Sequence, residues 1–479
     1  MKDRLLTKGY LLIVILAGMI FLTQCGKDDG PTLASDTDLS VFSINGVAFT
    51  VDAVGMTIEN DDEFPYGTDV SALVATFTVS GAATVLVGDI EQVSGVTAND
   101  FTNPVTYTIV AENKVDMVDF TVTVNVSATA WNMASENKFV GLKRPAALTH
   151  DGKLFLLGGA EVGGDADATP PTPADYYEYV YSSEDGVSWT TVFSHDALDL
   201  ANSDSIPVGS FLSAVSLGGK IITVGGHTPP TLVFGVLLSR DALGSASSSD
   251  GSSWTVTALA DLTLDAGEGF NAVKPGLVVH NDAIYMHGYM EAAFSGAEQS
   301  IKSMDILKST NGVNWQTVAA GALSTIKTTD SPPTFAANFS FGGDLYIAGG
   351  VSGAAFITET ADRYSSSVYK SSDNGATWSV ASSDGFPAVA LAQVVEYKGK
   401  LIAIAGATGD DTDAVYTSDV YVSDDGTTWT KQTGGLALPA EFAERAFHNV
   451  VVLNDKIYII GGENAQGALR DVWVGEFVF

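Results

Sequence analysis

The chain has 479 residues, 46% of them hydrophobic and 17% charged, a balance that marks a globular protein long enough for two or three domains. Its 57 acidic residues against 23 basic ones give a formal net charge of −34, which argues against nucleic acid and anionic membrane surfaces as partners, since these are bound through clustered Lys and Arg. A single cysteine, Cys25, leaves neither a disulfide framework nor a thiolate metal site to be built.

Lys2, Arg4 and Lys8 precede an apolar run from Tyr10 to Leu22. Such a run spans only about 20 Å as a helix, short of the ~30 Å bilayer core, so residues 1–24 are predicted to be an export signal and not a membrane anchor. Cys25 follows directly in Leu22-Thr23-Gln24-Cys25, and the arrangement resembles a bacterial lipoprotein signal, with Gln24 where a small residue is usual. The resemblance implies acylation of Cys25, a tether over residues 25–34 and attachment to the outer membrane. Gly26-Lys27-Asp28-Asp29-Gly30 is similar to the acidic export tag of Bacteroidetes surface lipoproteins, which implies exposure at the cell surface; a plain flexible tether is the alternative.

Residues 35–127 read as short β segments broken by turn residues. Alternation as in Phe120-Thr121-Val122-Thr123-Val124 places apolar side chains on one face, as a half-buried strand requires. About seven such strands in ~90 residues suit an immunoglobulin-like β-sandwich. Fourteen carboxylates stand here against Lys114 alone. The segment resembles the small bacterial immunoglobulin-like modules that space a lipid anchor from a larger domain. Asn60-Asp61-Asp62-Glu63 offers oxygens to Ca²⁺, but adjacent residues lack a ligand-loop spacing and read as a solvated turn.

Residues 128–479 are repetitive. One half of the repeat is a strand, a turn and a second strand ending in glycine, as in Asp151 to Gly159, Gly219 to Gly226, Asp282 to Gly288, Gly343 to Gly350, Gly399 to Gly406 and Asp455 to Gly462. The other half is a strand, an Asp-Gly or Asn-Gly turn and a tryptophan, at Trp189, Trp254, Trp315, Trp378 and Trp429. These dipeptides accept positive φ and form hairpins at little steric cost. A glycine pair followed by an aromatic and a tryptophan resembles the kelch repeat, so the fold class is all-β: a six-bladed kelch-like β-propeller preceded by the small sandwich. Ser371-Ser372-Asp373-Asn374-Gly375-Ala376-Thr377-Trp378 also matches the turn known as an Asp box, read here as structural. The sixth repeat ends without an outer tryptophan strand, whereas Trp131 precedes the first with nothing to pair; residues 129–134 are therefore predicted to close the last blade.

Inner strands of a propeller line a central channel. Counted back from the glycine pair, Arg144 and Lys274 share one repeat position and Arg445 lies two residues further back, on the same side of a strand. With Asn338, Gln393 and His448 they are candidates for a polar ring at one channel mouth that attracts carboxylates or sugar acids; ion pairs with neighbouring acids, or channel water, are the alternative. Loops after the glycine pairs carry Tyr176, Tyr177, Tyr289, Tyr364 and Tyr416, rings that stack on sugars, anchor a peptide or pack locally.

The function expected is that of a lipid-anchored cell-envelope protein whose propeller loops bind a protein or glycan partner, with a role in nutrient capture, and without nucleic acid, metal or cofactor. The alternatives are a structural adhesin or scaffold and a sialidase-like glycoside hydrolase. The hydrolase needs three arginines on a substrate carboxylate in a chain that has six, with Arg144-Pro145 the nearest fragment of its entry motif. A copper oxidase on a kelch scaffold needs a cysteine joined to a tyrosine, and Cys25 lies beside the signal.

Overall fold

The computed structural model describes residues 33–142, 144–159, 178–195, 210–227, 231–233, 236–238, 244–257, 263–264, 276–287, 306–319, 333–352, 364–408 and 415–479. The chain divides into two compact units, Met1–Glu63 with Asp69–Asn125 and Phe64–Thr68 with Val126–Phe479.

Among its described residues the first unit holds nine strands: β1 (Leu39–Ile44), β2 (Val47–Asp52), β3 (Thr57–Asn60), β4 (Leu73–Val79), β5 (Thr84–Val87), β6 (Ile90–Glu91), β7 (Ala98–Asn99), β8 (Val105–Val110) and β9 (Met117–Thr123). They run in one hydrogen-bonded order, β6-β5-β8-β9-β3-β2-β1-β4-β7. Asn45 and Gly46 both take positive φ, 49° and 83°, and so join β1 to β2 in a two-residue turn. Phe42 of β1 meets Tyr107 of β8 edge to face at 5.4 Å although the two strands lie four places apart in the sheet. That contact requires the sheet to curl on itself around a core that includes Phe42, Ile44, Ile58, Tyr107, Ile109 and Val122. The module expected to be a sandwich is this curled sheet.

Among the described residues the second unit is a propeller of six blades, five of four strands and the third with a fifth, Thr263–Leu264, added in parallel at its outer edge. From the channel outward, the first blade is Ala146–His150, Lys153–Leu157, Glu178–Ser183 and Thr190–His195. The next four begin on Ser210–Leu217, Gly276–His280, Ala337–Phe341 and Gln393–Tyr397. The sixth combines both ends of the unit: Asn449–Leu453, Lys456–Ile460, Asp471–Gly475 and finally Trp131–Glu136, with Trp131 opposite Gly475 and Met133 opposite Trp473. Trp131 is buried beside Phe477 and donates its indole N–H to the Leu436 carbonyl at 2.9 Å. Tyr66 joins the same blade through a parallel bridge to Phe477.

The tryptophan turns show why the blades stack. In the first, Ser183 Oγ accepts the Gly186 N–H (2.8 Å), Asp185 Oδ1 caps the N–H groups of Val187 and Ser188, and Trp189 Nε1 donates to the Gly186 carbonyl (3.0 Å). The scheme recurs around Gly251, Gly312, Gly375 and Gly426. Gly186 is fixed by two demands: φ is +72°, and a Cβ would stand 2.5 Å from Tyr458 of the sixth blade. Gly251 sits in the same way on Phe155 of the first blade, so each turn docks on the blade before it and the first blade closes the ring on the sixth. Histidines act as struts: His150 and His280 each bond through Nδ1 to a serine of the next inner strand, Ser216 and Ser340, at 2.8 Å.

Candidate functional site

The inner strands converge on a cavity of about 140 Å³ to which every blade contributes, from Ala146 and Ala147 of the first to Asn449 of the sixth. Strand register defines its wall. Ala146, Ser213, Gly276, Ala337, Gln393 and Asn449 lie opposite Leu157, Val224, His287, Ala348, Ile404 and Ile460 respectively. The second column is apolar in every blade but the third, where His287 replaces the aliphatic residue.

His287 lines the cavity at 4% exposure, and its Nε2 has no hydrogen-bond partner. Burial pushes its pKa down from the ordinary value of 6.5 to about 4, so the ring is neutral near pH 7. The glycine opposite makes the room. A Cβ on Gly276 would overlap Asn338 Nδ2 and stand 2.8 Å from His287 Cε1.

Two residues ahead of the wall position stand Arg144, Phe335, Leu391 and Phe447, in the first, fourth, fifth and sixth blades. All four take a left-handed backbone, with φ of 58°, 54°, 62° and 53°. For large L-residues this conformation is strained, and it recurs where a surrounding frame enforces it. Here the frame is backbone pairing: Leu391 N–H donates to the Phe335 carbonyl at 2.8 Å, and Ala446 exchanges both bonds with Glu463. The result is a rim of large side chains. The rings of Phe335 and Phe447 meet edge to face at 6.4 Å, and the Arg144 guanidinium lies over Phe447 at 4.7 Å. Arg144 Nε donates to Glu463 Oε1 at 3.1 Å. Tyr364 packs with Phe335 and Leu391 on Val351 and Ala390. Burial raises the Tyr416 phenol pKa, the Glu463 carboxylate adds to the rise and Arg144 opposes it, which places all three within electrostatic reach.

Of the residues singled out in the sequence, Arg144, Tyr364 and Tyr416 thus lie at the rim, and Asn338 and Gln393 line the cavity beneath it. Asn338 Nδ2 donates to the Ala336 carbonyl at 3.0 Å. Arg445 is elsewhere. At 0% exposure it makes a bidentate pair with Asp471 (2.6 and 2.8 Å), bonds the carbonyls of Gly461 and Ala443, and lies 4.0 Å from the centre of the Phe442 ring. His448 is equally buried, with Nε2 on the Ile404 carbonyl at 3.1 Å. Cys25, Tyr176, Tyr177, Lys274 and Tyr289 lie outside the described residues. Among those described, no three metal-ligating side chains cluster. Both described arginines of the expected cation ring therefore carry their own carboxylate, and the rim offers aromatic faces with one neutralised ion pair.

Sequence reading passed over His287, Phe335, Phe447 and Glu463. His287 was visible as the polar member of an apolar column, and Phe335 and Phe447 as repeat equivalents of Arg144.

Residues 39–124 match the family described as SGBP, N-terminal, and residues 380–478 match the family described as DUF6242 beta propeller domain. No curated protein matches the chain. Among solved structures, the one titled "Structure of YjhT" is similar over 70% of this chain and 94% of its own, at 15% identity and a TM-score of 0.48. The family matches support a β-propeller protein with an SGBP-like N-terminal module, and a propeller with a cavity and a side-chain rim fits a binding role.

Proposed function

We propose that the protein is a surface glycan-binding protein whose propeller holds a saccharide against the aromatic rim of its channel. The match of residues 39–124 to the SGBP N-terminal family carries this reading, since that family is one of surface glycan binding. The rim supplies the contact: the half-buried Phe335 and Phe447, with the Arg144 guanidinium stacked on Phe447, present flat faces on which a sugar ring lies. An acidic glycan has to displace Glu463 from Arg144, so a neutral one suits the rim better than the sugar acids that a free cation ring would draw. A glycoside hydrolase needs two carboxylates about 5–10 Å apart at the cleaved bond. Here Glu463 is held by Arg144 and Asp471 by Arg445, which favours binding over hydrolysis. Acylation at Cys25, a kelch-type relationship, a Bacteroidetes origin and a place on the outer-membrane surface in nutrient capture complete the proposal.

The test is a glycan array probed with the full chain and with Phe447→Ala. The expected result is binding to a defined group of neutral glycans, weakened by about 10- to 30-fold in the variant, as for loss of an aromatic anchor worth about 1.4–2 kcal/mol. An array on which the full chain binds nothing overturns the reading, and a captured membrane protein in its place supports the scaffold alternative.

A further inference from the structure

Beneath the rim lies a second feature that the scaffold leaves unexplained. His287 replaces an aliphatic residue found at its position in the other five blades, and it is buried with Nε2 unbonded. Buried polar groups in folded proteins are nearly always partnered, so a buried imidazole left unbonded in the wall of a cavity points to a partner that enters. Its surroundings have been cleared for it, because any side chain at position 276 would collide with Asn338 and crowd His287. The cavity wall also carries hydroxyl and amide groups from Ser213, Asn338 and Gln393.

Three properties narrow the occupant. The cavity, about 140 Å³, is smaller than the roughly 300–1,000 Å³ of sites that enclose a whole drug-sized ligand, so it accepts the end of a chain and not its length. Its described lining carries no acidic or basic side chain and the imidazole is neutral, so an entering carboxylate would be buried without a counter-charge. Hydroxyl groups, which both donate and accept, match either tautomer of the imidazole and the flanking amides.

We propose that the channel is an end-on pocket for the uncharged terminal sugar of a glycan, with one sugar hydroxyl bonded to His287 Nε2 and its neighbours to Asn338 and Gln393. This rests on the glycan-binding reading and sharpens it: the rim stacks the penultimate unit, and the channel reads the chain end and refuses uronic acids.

The full chain, labelled with ¹⁵N in its histidines, is titrated with methyl glycosides of glucose, galactose, mannose and xylose and with the methyl glycosides of glucuronic and galacturonic acid. The glycan array is repeated with His287→Leu and Gly276→Ala. The expected result is that at least one neutral glycoside moves the His287 nitrogen resonances while the two uronates leave them in place. His287→Leu should keep or exceed the parent's melting temperature, Gly276→Ala should lower it because its methyl group displaces Asn338, and both should lose at least tenfold in affinity for the array ligands. Array binding that survives in both variants, with the His287 resonances unmoved, overturns the channel pocket and leaves the glycan reading intact. Uronates that shift His287 as strongly as the neutral sugars overturn the claimed selectivity. An array that stays empty for the parent chain removes the glycan reading, and the pocket falls with it.

Discussion

At the outer edge of the blades, five turns repeat one design in which a serine holds the glycine N–H, an aspartate or asparagine caps the next residues and a tryptophan returns to the glycine carbonyl. At the inner edge the same repeat behaves differently. Arg144, Phe335, Leu391 and Phe447 hold strained left-handed backbones, worth roughly 1–2 kcal/mol each, and His287 keeps a buried nitrogen unbonded. The two regions share a backbone frame and differ in what the side chains complete. Where a repeat satisfies itself in every copy, the residues hold blade to blade; where it departs from copy to copy and leaves strain, the departures are the residues on which the proposed binding site rests.

Arg445 offers the hardest test of that division, because it lies near the rim in sequence yet is enclosed with Asp471 in the sixth blade. Removing one partner strands a buried charge, and Asp471 also accepts the Trp473 indole N–H at 2.8 Å. Arg445→Met is expected to cost about 3–5 kcal/mol in stability while leaving glycan affinity of the folded fraction unchanged. Trp131→Ala should cost a similar ~3–5 kcal/mol by emptying the core of the blade that joins the two ends of the propeller. Urea unfolding followed by tryptophan fluorescence measures both losses. An Arg445 variant that keeps its midpoint but loses ligand would move this residue to the binding side of the comparison.

Much of the scaffold was readable because its signals are local. Glycine pairs, Asn-Gly or Asp-Gly turns and tryptophans recur at fixed offsets, and they mark six blades without any knowledge of contacts. The rim was half readable. Counting back from the glycine pair finds position 144 and its equivalents, but alternation along a strand predicts side-chain direction only while the backbone stays extended, and these residues are left-handed. Arg445 illustrates the other limit, since its partner Asp471 lies 26 residues away on the third strand of the blade, where no spacing rule reaches. His287 was legible in principle. Its signal is a polar residue in an otherwise apolar column of strand partners.

Acid titration separates the two regions by pH. In the unfolded chain the His287 imidazole takes a proton as pH falls through about 6.5, whereas in the fold it does so only near 4. Between those values the unfolded state binds more protons. The stability this site confers is therefore complete above pH 6.5, is lost as pH falls toward 4 and changes no further below it, by at most on the order of 3 kcal/mol. Comparison of melting temperatures at pH 7 and pH 4.5 should show a drop that His287→Leu largely removes. An equal drop in the variant would place the sensitivity elsewhere.

The smallest effect belongs to the outer turns. Asp373 accepts the Thr377 hydroxyl at 2.6 Å and the Thr377 N–H at 2.8 Å, and these bonds, the hydroxyl first, hold its carboxyl below the ordinary carboxylate value of 3.8. A depressed carboxylate stabilises the fold above its unfolded pKa and loses that contribution as pH falls through the folded one, so this turn weakens below pH 4, beneath the window of His287. Asp373→Ala removes a capping oxygen from a single turn and is expected to cost about 1 kcal/mol at pH 7 and less at pH 3. Because four further turns dock on their neighbours by the same bonds, the loss should add to that of an equivalent change at Asp425, in a different blade, when the two are combined. A combined loss well above the sum would show that the blades unfold as one coupled ring and not turn by turn.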